Sequence, residues 1–243
     1  MNEIELELIT KSLLEGSPFK EWPSGMPASI DPELVLIGVS PGNSPAETNV
    51  EEISNKVEYV SAPTRIKPPN SHFYYPDGKD YWVKLRYLAH QYFRLYDECI
   101  SENETISRCT HFNLGTGDAG AATKKDVEKE VVEWVSGLLN EIHKPDLVVL
   151  FGLKNIIKDD DISAWWNHKK GLKVNWKEPH ASLDFEGYTK RNYQFREWVI
   201  NSGIKKNIRL VIWPNHPSRS PFTNMDIWKL SVHEYLNRLK NLS

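Results

Sequence analysis

The segment from residue 214 to residue 221 has the residue types that a site of polar chemistry needs. It reads Pro-Asn-His-Pro-Ser-Arg-Ser-Pro. The imidazole of His216 can donate a hydrogen bond to an oxygen that gains negative charge in a transition state. Ser218, Arg219 and Ser220 could hold phosphate groups, which proteins bind with hydroxyl and guanidinium groups. A histidine in a loop is otherwise a surface or packing residue, so this segment alone leaves its role open.

A second segment, Gly38-Val39-Ser40-Pro41-Gly42, combines two glycines with a proline. Such a turn would let the backbone approach a ligand closely while it keeps a rigid shape. Its spacing differs from the G-x-G-x-x-G of dinucleotide-binding folds, and no Gly-Lys-Ser/Thr follows as in a P-loop. We therefore expect no nucleotide cofactor. The alternative is a tight turn between a strand and a loop, without further function.

A third polar segment is Asn113-Leu114-Gly115-Thr116-Gly117-Asp118. The amide of Asn113 offers both a donor and an acceptor, which could bind a polar ligand or cap the turn. Asp118 would act near such a ligand or cap the helix that follows. Cys109 and His111 alternate with Asn113 along one strand face, but two plausible ligands without a third do not make a zinc site. We expect no bound metal.

Short apolar runs precede all of these segments and predict buried strands, because they are rich in Val, Ile, Leu and Phe. The predicted strands cover residues 34–39, 108–114, 147–151 and 208–213. Strands that alternate with helices predict a parallel sheet with right-handed crossovers. Ligands of such sheets lie beyond the carboxyl ends of the strands. We therefore expect the polar segments to meet at one edge of the sheet.

Helical periodicity accounts for most of the chain between the strands. The clearest helix is predicted over residues 123–143, where apolar residues recur at helical spacing until Lys144 and Pro145 end it. Residues 43–80 have little periodicity and many polar and proline residues, so we expect a functional excursion or a disordered segment there. The whole chain, residues 1–243, is expected to form a single domain. Further helices are predicted over residues 3–14, 81–96, 193–202 and 227–239.

Composition narrows the classes of protein that fit. The chain has no apolar run long enough to span a membrane, and its acidic start is unlike a signal peptide, so we expect a soluble, cytoplasmic protein. Its two cysteines, Cys99 and Cys109, are too few for a disulfide framework or an iron–sulfur site, and each is expected to be a small buried residue. The net charge of -3 gives no global attraction to nucleic acid, so phosphate binding would depend on local basic clusters.

Together, the motifs and their order resemble the uracil-DNA glycosylase superfamily. Members carry a G-x-x-P-G or related turn after the first strand, which matches Gly38, Pro41 and Gly42. Many have an asparagine at the end of another strand, which matches Asn113, and an H-P-S loop after the last strand. That loop matches His216, Pro217 and Ser218. Residues 78–84 are also similar to the segment that opens a helix in the mismatch-specific branch.

The resemblance implies a three-layer α/β/α fold with a central four-stranded, mostly parallel sheet. It implies a monofunctional DNA glycosylase that flips a base out of the duplex and hydrolyses its N-glycosidic bond without a cofactor. By resemblance, Asn113 would read the base and His216 would stabilise the base as it departs. Phe73 or Tyr74 would supply a stacking floor, which is worth roughly 1–3 kcal/mol per base. DNA is the expected partner, with Pro217, Ser218, Arg219 and Ser220 as its contacts.

The sequence departs from the family at Ser40, where members often carry an aspartate or asparagine that positions water. A serine has no charge and cannot act as a base near neutral pH. Asn43 or Asp118 would have to compensate, with Glu47 and Asp80 as weaker candidates. A substrate other than uracil fits this departure, such as a mismatched base or a hypermodified cytosine of phage DNA. The alternative is a non-catalytic nucleic-acid binding module on the same fold.

Overall fold

The computed structural model describes residues 32–38, 80–114, 127, 145–153, 156, 173–176, 182–183, 193–201 and 208–242. Its helices are α1 (Asp80–Phe93), α2 (Glu102–Ser107) and α3 (Met225–Leu242). Its strands are β1 (Leu34–Gly38), β2 (Cys109–Asn113), β3 (Leu147–Leu150), β4 (Lys173–Trp176), β5 (Ser182–Leu183), β6 (Tyr193–Gln194), β7 (Arg196–Asn201) and β8 (Ile208–Ile212).

A mixed sheet lies at the centre of this part of the chain, with strand order β2-β1-β3-β8-β7-β4. Strands β2, β1, β3 and β8 run parallel to one another. They are the four strands predicted from the sequence, so the parallel sheet is confirmed. Strand β7 pairs antiparallel with β8, and β4 pairs antiparallel with β7. The sheet therefore has six strands instead of the four predicted, and the chain is of the α/β class.

The helix predicted over residues 193–202 is wrong, because the chain there forms strands β6 and β7. Trp198 and Val199 are aromatic and β-branched, and such side chains pack well on a pleated sheet. Trp198 lies opposite Leu210 in the antiparallel ladder with β8, and both residues are buried. Hydrogen bonding and packing along β8 therefore outweigh the helical spacing of the apolar residues in this segment.

Helices α1 and α3 confirm the helices predicted over residues 81–96 and 227–239, with slightly different ends. Asn224 caps α3, because its side-chain oxygen accepts the N–H groups of Asp226 at 2.8 Å and Ile227 at 3.3 Å. The two helices pack on each other and bury their apolar faces in one core with the sheet. That core includes Leu36, Leu85, Ala89, Val149, Val211, Trp228 and Val232.

Both faces of the parallel strands are buried. Leu34 and Leu36 of β1 belong to the core under α1 and α3. Val35 and Ile37 point to the opposite face and are as deeply buried. Burial on both faces is typical of parallel sheets in α/β proteins. Apart from Val127, the helix predicted over residues 123–143, which would form a second helical layer, lies outside the described residues.

A buried carboxylate helps to hold α3 on the antiparallel part of the sheet. Glu197 of β7 is 2% exposed and accepts a hydrogen bond from the hydroxyl of Tyr235 at 3.2 Å. It also pairs with Arg209 at 3.2 Å and with Arg238 at 3.8 Å. These contacts offset the cost of burying the charge. Glu197 therefore ties two strands and a helix together.

Helix α2 was not predicted, although the sequence carries a signal for it. Ser101 and Glu104 form a capping box, in which the Glu104 N–H donates to the Ser101 hydroxyl at 3.2 Å. The Ser101 N–H donates in return to the Glu104 carboxylate at 2.9 Å. This reciprocal pair marks the start of a helix even where the apolar periodicity is short.

The two cysteines have different surroundings. Cys109 is fully buried, as expected, and its thiol donates to the Thr105 carbonyl at 3.0 Å. Cys99 is exposed, so the expectation that it is buried was wrong. It lies in the turn that follows α1, where its N–H donates to the Asp97 carboxylate at 3.0 Å.

Some predictions fall on parts of the chain that the structure does not describe. They include the helix over residues 3–14 and the irregular segment over residues 43–80, of which only Asp80, the first residue of α1, is described. The single domain stays a prediction. Among the described residues, no helix is both long enough and apolar enough to cross a membrane.

Candidate active site at the carboxyl edge of the parallel strands

Two of the residues singled out in the sequence are neighbours at the carboxyl edge of the sheet. Gly38 ends β1 and Asn113 ends β2, and the two lie opposite each other in the parallel ladder. The Leu114 N–H donates to the Gly38 carbonyl at 3.1 Å, so the ladder continues to this edge. Adjacent strands lie about 5 Å apart, which puts the two residues within reach of one small ligand.

The other two parallel strands end at the same edge. The Phe151 N–H donates to the Ile37 carbonyl at 2.8 Å, and the Trp213 N–H donates to the Leu150 carbonyl at 2.9 Å. Directly after β3 the chain turns at Gly152, whose φ of 73° lies in the left-handed region that favours glycine. Strand β8 also ends at this carboxyl edge, so the segment that contains His216 starts at the same edge as Gly38 and Asn113.

The connection from β8 to α3, residues 213–224, is called the His216 loop below, and side-chain and backbone hydrogen bonds shape it. The Asn215 side chain accepts the His216 N–H at 2.9 Å and donates to the Ser220 carbonyl at 2.8 Å. The Arg219 N–H donates to the His216 carbonyl at 2.9 Å. One asparagine thus spans the turn, which explains why this residue type precedes the histidine.

The imidazole of His216 is held in one orientation. The Ser218 N–H donates to its Nδ1 at 3.2 Å. An Nδ1 that accepts a hydrogen bond carries no proton, so the neutral ring has its hydrogen on Nε2. On one face the ring stacks on Tyr81 of α1, with 5.0 Å between centroids and 4° between planes. The imidazole therefore offers Nε2 as a donor of fixed direction.

His216 is also neutral over the physiological pH range. Burial, together with the positive charges of Arg219 and Lys84, lowers its pKa from 6.5 to about 4. Each of these causes disfavours the imidazolium form. At neutral pH the ring can donate a hydrogen bond from Nε2, but it is not a reservoir of an acidic proton. Such a group stabilises an oxygen on which negative charge develops.

Sequence reasoning missed two residues that support this histidine, Tyr81 and Lys84 of α1. Lys84 is 1% exposed, and its ammonium group donates to the Pro217 carbonyl at 3.2 Å and to the Thr223 carbonyl at 3.1 Å. The two residues are three positions apart, which puts them on one face of a helix. The sequence shows the spacing of Tyr81 and Lys84 and the aromatic residues near the lysine. It does not indicate that either residue contacts a loop more than a hundred positions away.

The outer part of the His216 loop faces solvent. Ser218, Arg219 and Ser220 are exposed, whereas Pro217 is buried and presents its carbonyl to Lys84. Two hydroxyls and a guanidinium thus stand beside a half-buried imidazole. This arrangement can bind an anionic group next to the imidazole of His216.

The remaining candidates from the sequence lie outside the described residues. They are Ser40, Pro41, Gly42, Asn43, Glu47, Phe73, Tyr74 and Asp118. Their predicted roles as pocket wall, water-positioning group and stacking floor stay predictions. Within the described ranges, no group of three or more His, Cys, Asp or Glu side chains is arranged to hold a metal ion.

A cleft of about 330 Å³ lies at the opposite, amino edge of the sheet and is lined in part by Arg108, Arg209 and Tyr96. Arg108 makes a bidentate pair with Glu33, at 2.6 Å for both bonds. Arg209 pairs with the buried Glu197. Because these guanidinium groups are paired within the protein, we place the candidate site at the carboxyl edge, where the oriented histidine lies.

Comparison with known proteins adds no assignment to this geometry. No protein-family model matches the chain. No curated protein is significantly similar to it in sequence.

Proposed function

We propose that this chain is a monofunctional DNA glycosylase of the uracil-DNA glycosylase superfamily, with the three-layer fold of that family. The observation that carries the proposal is the His216 imidazole. It is neutral, its hydrogen lies on Nε2, and it stands beyond the carboxyl end of a parallel strand. Ligands of parallel sheets bind at this edge.

Hydrolysis of an N-glycosidic bond requires a group of this kind. As the bond between the sugar carbon and the base nitrogen breaks, the base gains negative charge and the sugar gains positive charge. A hydrogen bond from His216 Nε2 to an oxygen of the base stabilises the negative charge. Water then adds its oxygen to the sugar carbon; one of its protons passes to the departing base, and the other stays on the new hydroxyl of the abasic sugar. The products are a free base and an abasic site.

In this proposal the other residues bind and orient the DNA. Asn113, opposite Gly38 at the end of its strand, reads the edge of the flipped base. Ser218, Arg219 and Ser220 contact phosphate groups from the exposed side of the His216 loop. Phe73 or Tyr74 stacks on the base, and Pro41 and Gly42 complete the pocket wall. Asn43 or Asp118 helps Ser40 to position the water.

The substrate is a uracil-type, mismatched or modified base, with a hypermodified cytosine of phage DNA as one form. In that form the protein acts in antiviral defence. Ser40 supports a substrate other than uracil, because it replaces the usual water-positioning residue with a weaker one.

A non-catalytic nucleic-acid binding module is the second candidate. One observation favours it: Ser40 is a poor activator of water. In this case His216 and its loop would contact DNA without cleaving the glycosidic bond.

Two variants separate the candidates when base release and DNA affinity are both measured. His216→Ala and Asn113→Ala should release less base than the wild type while they bind DNA with similar affinity, because Ser218, Arg219 and Ser220 remain. Arg219→Ala is the matched control, since it removes a proposed DNA contact and should lower DNA affinity more than it lowers base release from bound DNA. If no variant changes base release from any substrate, the glycosylase proposal is wrong.

A further inference from the structure

Helix α1 supports the His216 loop at two points that differ in chemistry. Tyr81 lies flat against the imidazole at 5.0 Å between ring centroids. Lys84, one turn further along the same helix face, binds the loop backbone through its ammonium group. The loop is therefore fixed by an aromatic contact at the ring and by a charged contact at the backbone.

The contacts of Lys84 fall on either side of the exposed turn. The Pro217 carbonyl follows His216 directly, and the Thr223 carbonyl precedes the Asn224 cap of α3. The backbone of Lys84 is itself anchored, because its carbonyl accepts the indole N–H of Trp228 at 3.0 Å. The ammonium thus closes the exposed turn at both ends from a backbone position fixed against α3.

Burial of a lysine at this position lowers the stability of the folded protein. The side chain is 1% exposed, and an apolar side chain of similar length would avoid the loss of hydration of an ammonium group. An ammonium group supplies two properties that an apolar chain lacks. It donates several hydrogen bonds, and it places a positive charge near the imidazole.

We propose that Lys84 is a positioning residue for His216, which fixes the His216 loop and thereby holds the imidazole with its hydrogen on Nε2. The role of the imidazole in base excision rests on the proposed function, whereas its orientation and charge state are properties of the protein alone. Among the described residues, the charged and titratable groups that face the ring are Arg219 from the loop and Lys84 and Tyr81 from α1.

The test measures the tautomer and the titration of His216 by nitrogen-15 NMR in the protein without DNA. The variants are Lys84→Met, Lys84→Arg and Arg219→Met, and the His216 signals are identified by their loss in His216→Phe. In the wild type we expect a single tautomer with the hydrogen on Nε2 and a pKa of about 4. Lys84→Met should raise the pKa towards 6.5 and mix the two tautomers, because it removes a positive charge and releases the loop.

Arg219→Met is the matched control, since it removes the other positive charge but leaves the backbone contacts of residue 219. It should raise the pKa of His216 while the tautomer stays fixed. Lys84→Arg retains the charge and donors and should restore both properties. A Lys84→Met protein with the wild-type tautomer and pKa overturns the proposal. If that variant does not fold, Lys84→Gln takes its place with the same expected and opposing results.

The kinetic consequence separates this proposal from the function on which it rests. If the wild type releases a base, Lys84→Met should lower kcat more than it raises KM, because the loop that carries His216 is misplaced. If the wild type releases no base but Lys84→Met loses the fixed tautomer, the positioning role is supported and the glycosylase proposal is rejected. Normal kcat in a Lys84→Met protein would overturn the positioning role alone.

Discussion

The low pKa of His216 predicts a specific loss of stability in mild acid. In the unfolded chain the imidazole titrates near 6.5, whereas in the folded protein it stays neutral down to about pH 4. Between these values the unfolded state binds a proton that the folded state does not bind, so the free energy of unfolding falls as the pH falls. The stabilising contribution is complete above the unfolded pKa, and it is lost towards the folded pKa.

The size of the effect follows from the two pKa values. A shift from 6.5 to about 4 makes His216 lower the free energy of unfolding by about 2 kcal/mol between about pH 7 and about pH 5. The full loss, reached below the folded pKa, is about 3 kcal/mol.

Urea unfolding at a series of pH values, for the wild type and for His216→Phe, isolates this term. The phenylalanine keeps a ring against Tyr81 but does not titrate, so other groups cancel in the difference between the two proteins. As the pH falls from about 7 to about 5, the wild type should lose about 2 kcal/mol of its free energy of unfolding relative to His216→Phe. Parallel curves for the two proteins over this range would refute the lowered pKa of His216.

Three further predictions concern the elements that position the site. Gly152→Ala should lower the free energy of unfolding by about 1–2 kcal/mol in urea titrations, since its φ of 73° is unfavourable for alanine; an unchanged midpoint would contradict the turn geometry. Asn224→Ala should cost about 1 kcal/mol through loss of the α3 cap, whereas Asn224→Asp should keep it, and equal losses in both would speak against capping. Glu197→Ala should lower the free energy of unfolding by about 3–5 kcal/mol because it leaves Arg209 without its buried partner, and calorimetry that finds no change in Tm would be inconsistent with that pair.

The parallel strands could be predicted because their sequences are continuous apolar runs. Residues 147–150, Leu-Val-Val-Leu, are buried on both faces of the sheet, and only a central strand requires that. Helices α1 and α3 followed from their apolar periodicity. Gly38 and Asn113 could be placed at one edge because parallel strands end on the same side, and the ladder confirms that they are neighbours.

The antiparallel half of the sheet could not be predicted in the same way. Residues 196–201 contain Arg196 and Glu197 beside Trp198, which does not alternate between apolar and polar residues. The strand is fixed by its pairing with β8 and by the buried contacts of Glu197, and these are tertiary interactions. Local sequence therefore indicated a helix where the sheet imposes a strand.

The residues that hold the candidate site in place could not be predicted from the sequence for a related reason. His216 attracted attention through its neighbours in the sequence, whereas Tyr81 stacks on its ring and Lys84 binds the backbone of its loop from a helix more than a hundred positions away. A lysine within an amphipathic helix normally reaches solvent. Its burial here follows from the packing of α1 against α3 and the His216 loop, which no periodicity in α1 indicates.

The most direct test of the central claim is release of a base from DNA. The protein is incubated with uracil-containing, mismatched, alkylated and phage-modified DNA, and abasic sites are revealed as strand breaks after alkali treatment. We predict abasic sites in at least one substrate, with a rate that falls about 100-fold or more in His216→Ala. Absence of abasic sites from every substrate, or an equal rate in His216→Ala, would contradict the proposed glycosylase.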